Sequence, residues 1–219
     1  MGDRDMSRQL TSGVLGRRKE WLYKGEVWEY EEVTNPITGR TWMDRNLGAS
    51  RAALSLTDTE AYGDLFQWGR LDDLHQNRDS ETTNVLSDNI IPNNGGKFIL
   101  GDAETGRNWL SSNNRDLWSN GLNVPAPDGW RVPNDNEWLA EIATWQTQDR
   151  DGAFNSVLKL SQAGYRFFED GDVVDAVMFY WSMDSTFSNA RMLNVTVSSV
   201  GVSFRYRADG IPLRLIKEQ

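Results

Sequence analysis

The stretch GWRVPNDNEWLAEI, residues 129–142, constrains the fold more than any other part of the chain. Arg131 and Val132 read as the end of a strand, and Pro133 stops it because proline cannot donate to a ladder. Asn134 is a good helix N-cap, and Glu137 three residues later completes a capping box. Trp138, Ile142 and Trp145 recur at i, i+4 and i+7, with Leu139 and Ala143 alongside, which predicts one apolar face of an amphipathic helix. A strand must therefore hand over to a helix within two or three residues.

The flanking sequence predicts short strands and long loops. Residues 1 to about 20 are polar and basic and read as an extended arm or short helix, either a plain tail or a docking segment. WLYKGEVWEYEEV (21–33) suggests two short strands around Gly25, and NPITG (35–39) is a turn. Trp42 and Met43 fall in a strand closed by Gly48. A short helix capped by Thr57 or Asp58 is expected within 57–70, with Leu65, Phe66 and Trp68 as its apolar contacts. Residues 71–128 are rich in Asn, Asp, Ser and Gly, which predicts irregular surface loops tied down at Phe98, Ile99, Leu100, Trp109, Leu117 and Trp118. Strands follow at VLKLSQAGYRF (157–167), VMFYWSM (177–183), ARMLNVTV (190–197), VGVSFRYR (200–207) and IPLRLIKE (211–218). The expected class is α+β with an antiparallel C-terminal sheet, residues 1–34 forming an arm and 35–219 the domain.

Composition removes several functions. The net charge of −9 and pI near 4.7 argue against a nucleic-acid partner, since phosphate neutralisation supplies most of that affinity. With no cysteine there are no disulfides, thiolate metal sites or cysteine catalysis, and with one histidine no multi-histidine metal centre within the chain. No stretch is long and apolar enough to insert in a membrane. The N-terminus lacks the apolar run of a secretory signal, so assembly in the cytoplasm is expected. Asp149, Asp151 and Gly152 fail the spacing of a calcium loop and read as a helix-ending turn. Glu169, Asp170, Asp172 and Asp175 read as a solvated hairpin. His75, with no triad around it, reads as loop surface. No cofactor or metal is expected.

The C-terminal region runs against the overall charge. Between residues 190 and 217, Arg191, Arg205, Arg207, Arg214 and Lys217 face only Asp209, a net of +4. Aromatic residues are interleaved, and arginine with aromatic side chains commonly anchors binding surfaces. In SFRYR a period of two puts Phe204 and Tyr206 on one face and Arg205 and Arg207 on the other, so at most one face is a site.

TGRTWMDRNLGASR, EAYGDLFQWGR, DGWRVPNDNEW, LKLSQAGYR, YWSMDST and RADGIPLRLIKE, in this order and spacing, resemble the Fibrobacter succinogenes major paralogous domain family over residue 35 to the end. Leu215 stands where that family's closing strand usually has cysteine. The resemblance implies a C-type lectin-like fold, as in bacterial surface proteins and phage tail-fibre or receptor-binding components. The opening motif is also similar to formylglycine-generating and sulfoxide-synthase enzymes, whose cysteines or histidine-ligated iron this chain lacks, so it implies no catalysis. The closest approach to a calcium lectin's ligand motif is Trp181-Ser182-Met183-Asp184, which implies no calcium. The family resemblance thus implies a non-enzymatic virion protein, assembled with other virion proteins through its N-terminal arm as a homo-oligomer. It would bind a host surface glycan or protein. A capsid, neck or baseplate decoration protein and a bacterial surface adhesin are the alternatives. In such folds the C-terminal sheet and its loops bear the ligand, so the expected contacts are Trp181, Asp184, Arg191, Arg205, Tyr206 and Arg207.

Overall fold

The computed structural model describes residues 19–104, 106–112 and 116–219. β1 (Lys19–Tyr23) and β2 (Glu26–Tyr30) form a hairpin turned by Lys24 and Gly25, both at positive φ as a two-residue hairpin loop requires. Trp21, Tyr23, Trp28 and Tyr30 share one face of this hairpin. Tyr23 and Tyr30 enter the main core, the Tyr23 hydroxyl donates to Asp64 Oδ2 at 2.6 Å, and the Trp28 indole donates to the Ala49 carbonyl at 2.9 Å. The hairpin thus packs against the domain that was expected to begin at residue 35. The four aromatic side chains need cover, and the domain supplies it. The expected docking role of residues 1–18 lies outside the described residues.

β3 (Glu32–Thr34) pairs with β4 (Thr41–Met43) across the NPITG turn. Asn35 locks that turn, accepting from the Ile37 amide and donating to both carboxylate oxygens of buried Glu141 at 2.9 Å. Only a single 3-10 turn, Thr59–Ala61 capped by Asp58, stands where a helix was expected. After it come β5 (Phe66–Gln67), β6 (Thr82–Thr83), β7 (Phe98–Ile99) and β8 (Trp130–Arg131). The irregular stretch between is anchored by buried Phe98, Ile99, Trp109, Leu117 and Trp118, with Leu100 half-buried.

α1 (Asp135–Ile142) begins as the sequence dictates. The Asn134 side chain accepts from the Glu137 amide and Glu137 accepts from the Asn134 amide, both at 2.9 Å. Trp138, Ile142 and Trp145 are buried, but Leu139 and Ala143 face solvent. They lie one residue beyond Trp138 and Ile142, about 100° around the helix from the apolar stripe. The covered face instead includes Glu137, whose carboxylate grips Arg131 at 2.6 and 2.7 Å. Asp149 starts a helix rather than ending one, capping the Gly152 amide of α2 (Arg150–Asn155). Residues 157–164 are irregular, so the strand expected there shrinks to β9 (Tyr165–Arg166), hairpinned to β10 (Val173–Val174).

β11 (Met178–Ser185), β12 (Ala190–Val195) and β13 (Val200–Arg205) make an antiparallel meander, followed by β14 (Gly210–Ile211) and β15 (Ile216–Lys217). The remaining sheets run β10-β9-β14-β5 and β3-β4-β15-β8, with a small parallel pair β6-β7. β15 thus lies between β4 and β8, binding the end of the domain to its beginning and to the strand that precedes α1. Antiparallel sheets with two short α-helices among the described residues place the chain in the α+β class.

Indole donors tie the loops to the sheets. Trp181 donates to the Phe66 carbonyl at 2.6 Å, Trp109 to that of Trp68 at 2.7 Å, Trp68 to that of Ser182 at 2.9 Å, and Trp138 to that of Trp181 at 3.1 Å. All four are buried. Three of the accepting carbonyls lie on strands, those of Phe66 in β5 and of Trp181 and Ser182 in β11, and that of Trp68 lies in a turn, so the tryptophans provide hydrogen bonds as well as apolar volume.

Candidate functional site

The meander has two faces set by its register. On one, Met178, Tyr180, Leu193 and Val195 pack against α1 with Trp138. On the other, Trp181, Met192 and Ala190 enter the main core, while Phe179, Asn194, Gly201, Ser203 and Arg205 lie on the same side only partly covered. Phe179, Asn194 and Gly201 form one cross-strand row, and a Cβ at Gly201 would meet nothing within 4 Å. Space is open above that end of the sheet. β13 is also an edge strand of the described sheet.

Arg205 reaches across this face. Its guanidinium lies 4.2 Å from the Tyr165 ring centroid and 5.2 Å from that of Phe179, and those rings are 5.5 Å apart. The side chain is 23% exposed and 3.1 Å from Asp209 Oδ2, with its Nε and Nη2 hydrogens poorly aimed at that oxygen. Ring faces, more than hydrogen bonds, hold it. Asp209 is fully buried, and burial pushes its carboxyl up to about 7; Arg205 and the amides of Phe168 and Tyr206 only partly oppose that rise. Tyr206 stands next to this cluster, edge-on to Phe168 at 5.0 Å and under Arg107 at 4.8 Å.

The six contacts expected from sequence separate into three groups. Arg205 belongs to the open face, and Tyr206 follows it beyond the end of β13, against Phe168 and Arg107. Arg191 and Asp184 lie at the start of α1: Arg191 pairs with Asp135 at 2.6 Å and stacks over half-exposed Phe204 at 4.4 Å, while Asp184 accepts from the Asp135 amide at 2.7 Å. These two hold the helix N-terminus to the sheet. Trp181 and Arg207 are buried at 0% and 2% exposure and cannot touch a ligand. Trp181 is the indole donor to the Phe66 carbonyl. Arg207 packs 4.9 Å over Trp68 and donates to the Thr186 carbonyl at 2.9 Å. The period-two reading fails because β13 ends at Arg205 and the chain turns, sending Arg207 inward. Arg214 is likewise buried, donating to Asn46 and to the Leu158 carbonyl, so the basic run is only partly a surface.

A groove of about 430 Å³ opens at the Phe179 end of the face. Arg150, Gln162, Val177, Phe179, Asn194 and Val197 are among its walls, and Val197 is 66% exposed. Sequence reasoning missed Phe179, Asn194 and Arg150. VMFYWSM is apolar but for Ser182, and such a run does not tell which residue lies at a wet rim. A second cleft of about 440 Å³ lies between Trp118, Trp130, Met183 and Glu218, but both indoles are nearly covered and Arg131 there is neutralised by Glu137.

His75 is not surface. It is fully buried, its Nε2 accepts from the Gln67 amide at 3.0 Å, and its Nδ1 proton faces Asp73 Oδ1 at 2.5 Å. Burial first, then neighbouring Arg70, lowers its pKa to about 4, so it is a neutral framework residue. Among the described residues no group of three or more His, Cys, Asp or Glu side chains could hold a metal ion, and no helix is long and apolar enough to cross a membrane. Comparison with protein-family models, with curated proteins and with solved structures finds no match.

Proposed function

We propose that this chain is a non-enzymatic binding protein with a C-type lectin-like domain, a phage virion component of tail-fibre or receptor-binding type that presents the open face of its C-terminal meander to a host surface glycan or protein. The virion assignment rests on the family resemblance of the sequence. The observation that carries the binding assignment is the Phe179–Asn194–Gly201 row: an aromatic ring, a carboxamide and vacant space side by side on a sheet whose other side is fixed to α1. Rigid elements presenting polar and aromatic groups around a hollow suit recognition, and many copies on one particle raise the avidity of a weak contact.

Gly201→Leu tests this. A Cβ there meets nothing within 4 Å, so the new side chain starts in open space and stability should hold within about 0.5 kcal/mol. Binding of labelled protein to host cells should fall at least tenfold. Unchanged binding would remove the face from the site.

A structural role within the particle is the second reading, and one feature favours it. Leu22 and Val27 pair across β1 and β2 on the outer side of the hairpin, each 65% exposed. That apolar pair suits contact with other virion proteins.

A further inference from the structure

The groove beside Phe179 has a lining that selects a ligand chemistry. Apolar contact comes from Phe179, Val177 and Val197, and polar groups from Gln162 and Asn194. The one ionisable side chain among its described lining residues is Arg150. In a chain of net charge −9, a groove walled by a guanidinium and by no carboxylate opposes the bulk charge. A second guanidinium, that of Arg205, rests 5.2 Å from the centroid of the same Phe179 ring. Asp149 and Asp151 flank Arg150 in sequence and Asp175 precedes Ala176, but none of the three lines the groove. Asp149 is engaged in the helix cap, accepting from the Gly152 amide at 2.9 Å and the Thr147 hydroxyl at 2.7 Å.

These groups answer to a particular kind of molecule. An arginine fork matches a carboxylate in plane and in charge. An aromatic ring flanked by valines packs against the C–H face of a sugar ring. Side-chain amides pair with hydroxyls, each of which costs free energy if buried without a partner. The volume lies within the range of small-ligand sites.

We infer that the groove takes a carboxylate-bearing sugar unit of a host glycan, the carboxylate on Arg150 and the sugar ring over Phe179 beside Asn194. This deepens the proposed binding function and rests on it. The Arg150 amide donates to the Thr196 carbonyl at 3.0 Å, which holds its backbone at the groove wall, and its charge also acts on neighbouring Asp149.

The test is isothermal titration of the whole chain with 3′-sialyllactose, tetragalacturonate and lactose, on wild type, Arg150→Gln and Arg150→Lys, with circular dichroism to establish that the variants are folded. At least one carboxylated probe should bind tenfold or more tighter than lactose. Arg150→Gln should remove roughly tenfold of that affinity and Arg150→Lys should restore part of it, since charge returns without the fork. Equal affinity for lactose and the acidic probes, or full affinity in folded Arg150→Gln, overturns the inference. Absence of binding to all three probes also overturns it. If the same protein then still binds host cells and Gly201→Leu abolishes that binding, the face remains a site and only its ligand class is wrong.

Discussion

Asp209→Asn should turn a hidden proton into a measurable slope. Asp209 is fully buried beside Arg205, and its carboxyl titrates near 7 in the folded chain against 3.8 as its ordinary value. A raised acid favours the folded state while it is protonated, so its contribution is fully present below about 3.8 and is lost as pH rises towards 7. Each unit is worth about 1.4 kcal/mol, so the shift of roughly three units amounts to about 4 kcal/mol across that window. Asparagine keeps the shape of the protonated acid and an oxygen for the Phe168 amide, which lies 3.2 Å from Asp209 Oδ1. The stability of the variant relative to wild type should therefore rise by about 1.4 kcal/mol per pH unit from pH 4 to pH 7, then level off. His75 is common to both proteins and cancels in the difference. In wild type it acts in the opposite sense, because a depressed histidine loses stability as pH falls from 6.5 to about 4, which flattens the wild-type profile. Urea titrations followed by tryptophan fluorescence at pH 4.5, 5.5, 6.5 and 7.5 provide the measurement. A difference that does not change with pH would refute the reasoning, since it would mean that Arg205 keeps Asp209 ionised throughout.

Two further substitutions probe the framework. Trp181→Phe removes the indole that donates to the Phe66 carbonyl at 2.6 Å and leaves space in the core; a loss of about 3 kcal/mol is expected, or roughly 6–12 °C in melting temperature by calorimetry. Asn134→Ala breaks the capping box of α1 and should cost about 1 kcal/mol in a denaturant titration, with binding by the open face unchanged because that face lies on the far side of the sheet.

The parts of the fold legible in the sequence are those fixed by local chemistry. Asn134 and Glu137 announce the start of α1, and the spacing of Trp138, Ile142 and Trp145 names its buried side. Gly25 marks the first hairpin, and isolated apolar residues between 71 and 128 mark where the loops are pinned. What was illegible depends on partners distant in sequence. Tyr23 reads as part of an arm until Asp64 is brought to its hydroxyl. Arg207 and Arg214 read as surface because a buried arginine is rare unless paired, and their acceptors are carbonyls and an amide that no local pattern predicts. His75 needs Gln67 and Asp73 for the same reason. Of the site, the arginine-aromatic character of the C-terminal strands was visible and Arg205 with it. Its position across Tyr165 and Phe179 was not, because it depends on the turn after β13 and on β9 packing alongside.

The most direct test of the binding face is chemical-shift mapping on isotope-labelled protein titrated with the ligand that binds best. Shifts should concentrate at the Asn194 side-chain amide, the Gly201 amide and the Phe179 ring, with the Trp130 and Trp118 indoles unmoved. Shifts centred on those two indoles, or on Leu22 and Val27, with Asn194 and Gly201 unchanged, would contradict it.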